Sequence, residues 1–244
     1  MPTRWFAAPL LALTVLLCVG AAPSRQALPL VPCASDGQQG PLPKPESTAA
    51  TPRLAPALAR RLAYYAVSQG DGDVSGVVGP RGWHCAYLYG SNGDFYLLSP
   101  DPLAADPSRK ASLKGPAIQI GWSIGTTSGR FEAAELAAPL FPAAHGFVAG
   151  VKAEGVEPDS SFPTKPYPTD RLTYLSPTEV LYETPAGRPG LGARSWLAPT
   201  DQPIRGFVGF YPENEYSVQY VAIRLPPALR DLEPTILREA SEWL

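Results

Sequence analysis

Residues 118 to 132 read IQIGWSIGTTSGRFE, and within them Gly121-Trp122-Ser123-Ile124-Gly125 fits G-x-S-x-G, the pattern of a hydrolase nucleophile elbow. A nucleophilic serine needs a histidine base beside it and a carboxylate to orient that base. In the hydrolase order the acid comes next and the histidine last. After Ser123 the chain has a single histidine, His145, and the acids between them are Glu132 and Glu135. Both acids fall inside a predicted helix, so no separate strand presents one. That helix begins around Ser128, too late for the strained strand-to-helix turn of an elbow. Ser123 is therefore read as structural, and no catalytic residue is assigned.

Metal and phosphate chemistry have no better foothold. Asp71-Gly72-Asp73-Val74-Ser75-Gly76 matches the first half of a calcium loop, but the twelfth position, which should be a bidentate Glu, is Gly82. The segment reads as an acidic turn. Two histidines and the cysteines give no zinc spacing, and GRPGLGAR lacks the lysine and following helix of a phosphate loop. No metal and no cofactor are expected. Trp83, Tyr87 and Tyr89 alternate along one predicted strand face and could stack sugars, but such aromatics usually belong to a core.

Ser128, Gly129 and Arg130 are the candidate binding residues. Ser128 can cap the helix that follows. Arg130 then falls in its first turn, where the helix dipole disfavours a cation. A cation there needs an anion: Glu132, another internal carboxylate, or a group on a partner.

The elements that must carry these residues follow from periodicity. Leu54, Leu58, Leu62 and Tyr65 recur at helical spacing with Gly70 as a stop, which predicts a helix. Trp83 to Tyr89 and Phe95 to Leu98 alternate around Asn92-Gly93, a hairpin signal. Ala117 to Ile120 predicts a strand and residues 129 to 141 a helix ending near Pro139. TEVLYETP, ARSWLAP, IRGFVGFYP and YSVQYVAIRLP are short β-rich runs bounded by turn residues, spaced as an antiparallel meander. EPTILREASEWL predicts a closing helix with Ile236, Leu237 and Ala240 inward. Together these give an α+β fold, a mostly antiparallel sheet with two or three packed helices.

The N-terminus carries the signs of export. Arg4, the apolar run Trp5 to Val19 and the small residues Val19-Gly20-Ala21 match a secretory signal peptide over residues 1–21. Cys18, preceded by Leu17 where lipoprotein signals place Gly or Ala, reads as part of the discarded segment. Residues 22–53 are rich in Pro, Gly, Ser and Thr and predict an arm; residues 54–244 form the single globular domain. Cys33 and Cys85 are the remaining cysteines, and export favours a disulfide between them, pinning the arm. No later stretch is long and apolar enough to span a bilayer. A formal net charge of −2 gives no footprint for nucleic acid.

GPRGWHCAYLYGSNG, followed by TSGRFE and AIRLPP, resembles a group of uncharacterised exported bacterial proteins carrying a P-R-G-W-x-C motif. The resemblance implies export and a shared fold and brings no activity. Ser128-Gly129-Arg130-Phe131 is also similar, in a few residues, to the Ser-Gly loop that periplasmic lysozyme inhibitors present to their enzyme. The expected role is a non-enzymatic binding or interaction domain of the bacterial envelope, periplasmic or secreted, with an envelope protein or glycan as partner. The alternatives are an envelope hydrolase acting on cell wall or carbohydrate, and an inhibitor of a lysozyme-like enzyme.

Overall fold

The computed structural model describes residues 24–46, 50–70, 73–103 and 113–241. The predicted signal peptide and Cys18 lie outside them. The chain opens with β1 (Gln26–Ala27), β2 (Leu30–Pro32) and β3 (Ala34–Gly37). It continues through β4 (Arg53–Leu54), the one-turn helix α1 (Pro56–Ala59), and the paired strands β5 (Leu62–Gly70) and β6 (Asp73–Pro80). Next come the hairpin β7 (His84–Gly90) and β8 (Gly93–Ser99), then β9 (Ala117–Ser123), α2 (Arg130–Ala137) and α3 (His145–Ala153). Strands β10 (Arg171–Ser176), β11 (Glu179–Thr184), β12 (Ile204–Tyr211) and β13 (Ser217–Arg224) precede α4 (Glu233–Ser241).

An eight-stranded sheet in the order β10-β11-β12-β13-β9-β8-β7-β3 forms the centre, antiparallel throughout except for β3, which runs parallel to β7. Successive side chains of a strand point to opposite faces, so this sheet holds a core on each side. On one side Tyr87, Tyr96, Ile118, Ile120, Val221 and Ile223 pack with residues of the three-stranded sheet β2-β5-β6 and of α4. On the other, Ala117, Val218, Tyr220 and Ala222 pack with residues of α2 and α3. The α+β class and the mostly antiparallel sheet agree with the expectation from sequence.

Three readings are corrected. The helix predicted from Leu54 to Gly70 is one turn of α1 followed by strand β5. Leu62 to Val67 are all buried, so the run is apolar on both faces and hides the strand's period of two. The same strand, not a helix, precedes Asp71 and Gly72, which lie outside the described residues, and Asp73 to Gly76 of the expected acidic turn belong to β6. The segment expected to be an arm is woven into the domain: β2 pairs with β5 and β3 with β7. Cys33, between β2 and β3, is bonded to Cys85 across 52 residues. ARSWLAP forms no strand; residues Leu191–Arg194 make a short 3₁₀ turn. The predicted hairpin, the β11, β12 and β13 strands and the closing helix all form, with Ile236 and Ala240 buried.

Candidate binding cleft

Strand β9 places Gln119, Gly121 and Ser123 on the same face as Ala117, toward α2 and α3. Their cross-strand neighbours there are Leu97, Phe95 and Gly93 of β8, and Ala222, Tyr220 and Val218 of β13. This floor, with Glu132 of α2 and the segment Arg194 to Trp196, bounds a cavity of about 260 Å³. Gly121 sits at its centre, between the side chains of Gln119 and Ser123. A Cβ there would come within 2.6 Å of Phe95 Cβ, so only glycine leaves this floor open. The second glycine of the elbow pattern has a different use: a Cβ on Gly125 would meet Tyr216 O at 2.4 Å. That glycine seats the β12–β13 turn, where Glu215 and Tyr216 hold positive φ values of 56° and 55°. G-x-S-x-G is thus a packing pattern here, and Ser123 is an ordinary strand residue paired with Gly93 and Val218.

Each polar group of the cleft is set by its neighbours. The Trp196 backbone N–H donates to Gln119 Oε1 at 2.8 Å. An N–H can only donate, so the amide is held one way round and its Nε2 donor is left for the cleft. Ser123 is 6% exposed, and its hydroxyl has no hydrogen-bond partner among the described residues. Glu132 is exposed, with no ion pair to a described residue. Arg194 is engaged with Glu135 at 2.5 Å. The Trp196 and Phe95 rings stand 5.2 Å apart at 58°, forming an aromatic corner. Tyr220 donates its hydroxyl to Leu191 O at 2.6 Å and so fixes the turn that carries Arg194.

Arg224, only 2% exposed, holds the far wall. Its guanidinium donates to the carbonyls of Leu113 (2.5 Å), Gly115 (2.6 Å) and Ala198 (2.5 Å). Leu113 N–H in turn donates to Trp196 O at 2.7 Å. Burial lowers the Arg224 pKa, a shift that nearby Asp201 opposes.

The predicted binding residues stand at the rim. The Ser128 hydroxyl does not cap α2; it meets the Ser91 hydroxyl at 3.0 Å, next to the cleft residue Asn92. Thr127 serves the helix start instead, its Oγ1 accepting from the Gly129 N–H at 3.2 Å. Gly129 is buried. The anion opposite Arg130 is internal: Nε donates to Glu154 at 2.8 Å and Nη2 at 2.6 Å, while Nη1 donates to Thr127 O at 2.8 Å. Glu154 caps the C-terminus of α3, whose negative dipole end also suits a cation. The hydrogen bond from Arg130, with its charge, holds the Glu154 carboxyl below its ordinary pKa.

Neither histidine reaches the cleft. His84 is exposed on β7, and His145 lines a groove beside Tyr174 and Pro166. Asp94 of β8 is also among the residues lining the cavity, but its carboxyl is engaged with the hydroxyl of Tyr87, a residue of the opposite core. Burial pushes its pKa up to about 6 although the Tyr87 hydrogen bond lowers it. Trp83 and Tyr87 are core, as read from sequence, and Tyr89 packs against that core. No group of three or more metal-ligating side chains occurs among the described residues. Sequence reasoning missed Gln119, Glu132, Arg194 and Trp196 as neighbours. The signal available was the alternation of IQIGWS, which sets Gln119, Gly121 and Ser123 on one face of a strand whose other face carries Ile118, Ile120 and Trp122. No family model matches the chain, and no curated protein or solved structure matches it either.

Proposed function

We propose that the chain is an exported, non-enzymatic binding domain of the bacterial envelope, and that the cleft over β8, β9 and β13 is its binding surface. One observation carries the reading: Gln119 and Ser123 of β9, Glu132 of α2 and the aromatic residues Phe95 and Trp196 line one cavity. A hydrolase would need more. The histidines lie elsewhere, Glu135 is tied to Arg194, and the Asp94 carboxyl is engaged with Tyr87, which leaves Glu132 no free carboxylate to act with among the described residues of the cleft. The inhibitor reading loses support because Arg130 is already paired with Glu154. Export rests on the signal-like N-terminus and on the disulfide. No helix among the described residues is long and apolar enough to cross a membrane.

Immobilised protein lacking residues 1–21 tests the proposal against envelope extract. A component retained by the native chain and by Arg130→Ala, but lost by Glu132→Lys, is the expected result. Retention that ignores Glu132→Lys would remove the cleft from the proposal. Release of soluble fragments from envelope material would replace binding with hydrolysis.

A further inference from the structure

Resting on the cleft as a binding site, we propose that its ligand is an uncharged pyranose saccharide. The hydrogen-bonding groups select it. Gln119 Nε2 can only donate, the Glu132 carboxylate offers acceptor oxygens, and Ser123 Oγ does both. The hydroxyls spread around a sugar ring suit such a mixed set, since each both accepts and donates. An anion does not: the cation lining the cleft, Arg194, already holds Glu135, and Glu132 repels it. An ammonium fits poorly as well, since it only donates and would leave Gln119 Nε2 facing another donor.

The apolar part of the site agrees. A pyranose presents a face of C–H groups that packs on an aromatic ring. The Phe95–Trp196 corner, with rings 5.2 Å apart, places one such surface beside the polar groups. A cavity of about 260 Å³ takes one ring, with neighbouring sugars running out past the rim at Asn92. An extended peptide would instead ask for an open sheet edge, and both strands of this floor, β8 and β9, are paired on both sides.

Saturation-transfer NMR and tryptophan fluorescence titration test this on the full chain without residues 1–21. The probes are diacetylchitobiose, cellobiose and maltose as neutral sugars, galacturonic acid as an anion, glucosamine as a cation, and dialanine as a peptide. At least one neutral disaccharide should saturate. Trp196→Ala and Glu132→Gln should each weaken it by about tenfold or more, the effect of losing one good contact of ~1.4 kcal/mol. Glu132 is exposed, so its variant keeps the measurement interpretable if Trp196→Ala destabilises the fold. Binding of galacturonic acid, glucosamine or dialanine with none of the neutral sugars would overturn the proposal. So would failure of every probe while the envelope component is still lost in Glu132→Lys; in that case the cleft stands and the saccharide does not. If Glu132→Lys changes nothing in the envelope experiment, the reading of the cleft itself is what has failed.

Discussion

On one face of the eight-stranded sheet, Tyr87, Tyr96, Ile118, Ile120, Val221 and Ile223 are buried against the small sheet and α4. On the other, Phe95, Gln119, Gly121, Ser123 and Tyr220 stop short of filling the space beneath α2 and residues 194–196. The same strands build both surfaces, with neighbouring residues in sequence assigned to opposite sides. The sealed face pairs several of its polar atoms internally: Tyr65 donates to Pro80 O at 2.5 Å, Gln69 Nε2 donates to the Tyr87 hydroxyl at 3.1 Å, and Ser75 and Tyr96 share a hydrogen bond of 2.9 Å. Gln219 donates through Nε2 to Ala240 O at 2.7 Å, and its buried Oε1 has no partner among the described residues. The open face leaves Gln119 Nε2 and Ser123 Oγ without partners among the described residues. A fold can place its stability on one side of a sheet and keep the other for a ligand, because the pleat separates the two sets of side chains.

That division gives a graded set of tests. Cys85→Ser should cost the most. Removing a crosslink over 52 residues takes away roughly 4 kcal/mol in the chain-entropy model, seen as a large fall in Tm. Where the variant remains folded, affinity in the cleft should be unchanged, since Cys85 lies in the sealed core. Arg224→Met should cost ~3 kcal/mol, because it strands buried carbonyls of Leu113, Gly115 and Ala198. This change should also loosen Trp196 and weaken ligand binding, which separates it from the disulfide variant in a titration.

Asp94 is the weak point of the sealed face. Its carboxyl titrates at about 6 in the fold, above the usual unfolded value, so ionisation penalises the native state. Stability should therefore rise as the pH falls from about 7 toward 4, until carboxylates held below their ordinary pKa, such as Glu183 beside Arg205, begin to protonate. Asp94→Asn should raise stability at pH 7 by about 3 kcal/mol and flatten the profile between about 4 and 6. Denaturant melts across that range would show it; a stability loss at pH 7 would refute the assignment. The smallest effect belongs to Arg130→Ala. Its pair with Glu154 is solvent-exposed, so Tm should drop slightly and cleft binding should stay as it was.

What could be read from sequence was local. The β7–β8 hairpin announced itself through Asn92-Gly93, α4 through the spacing of Ile236 and Ala240, and the disulfide through cysteine parity together with a signal-like N-terminal sequence. β5 was misread because burial on both faces erased its alternation, leaving Leu54, Leu58, Leu62 and Tyr65 to imitate a helix. Residues 26–37 were misread because proline and glycine mark an arm in isolation, while their pairing partners lie in β4, β5 and β7. The cleft depends on longer separations still: the hydrogen bond that orients Gln119 comes from Trp196, 77 residues away. Arg130 shows the reverse case. Its need for an anion was legible from helix position, but Glu154 lies beyond the next turn and could not be chosen from among the acids.

The segment Leu30 to Gly37 serves both sheets, with β2 in the small one, β3 at the edge of the large one, and Cys33 between them. A chain is made from its N-terminus, so β2 and β3 are produced before β5 and β7 and must wait for them before they can pair. Until then they present open backbone donors and acceptors and a free thiol. Their proline and glycine content, which disguised them as an arm, suits that interval, since such a stretch is a poor template for pairing with a neighbouring molecule. Once β7 arrives, Cys85 records that the right partner has been found, and a single oxidation makes the pairing permanent.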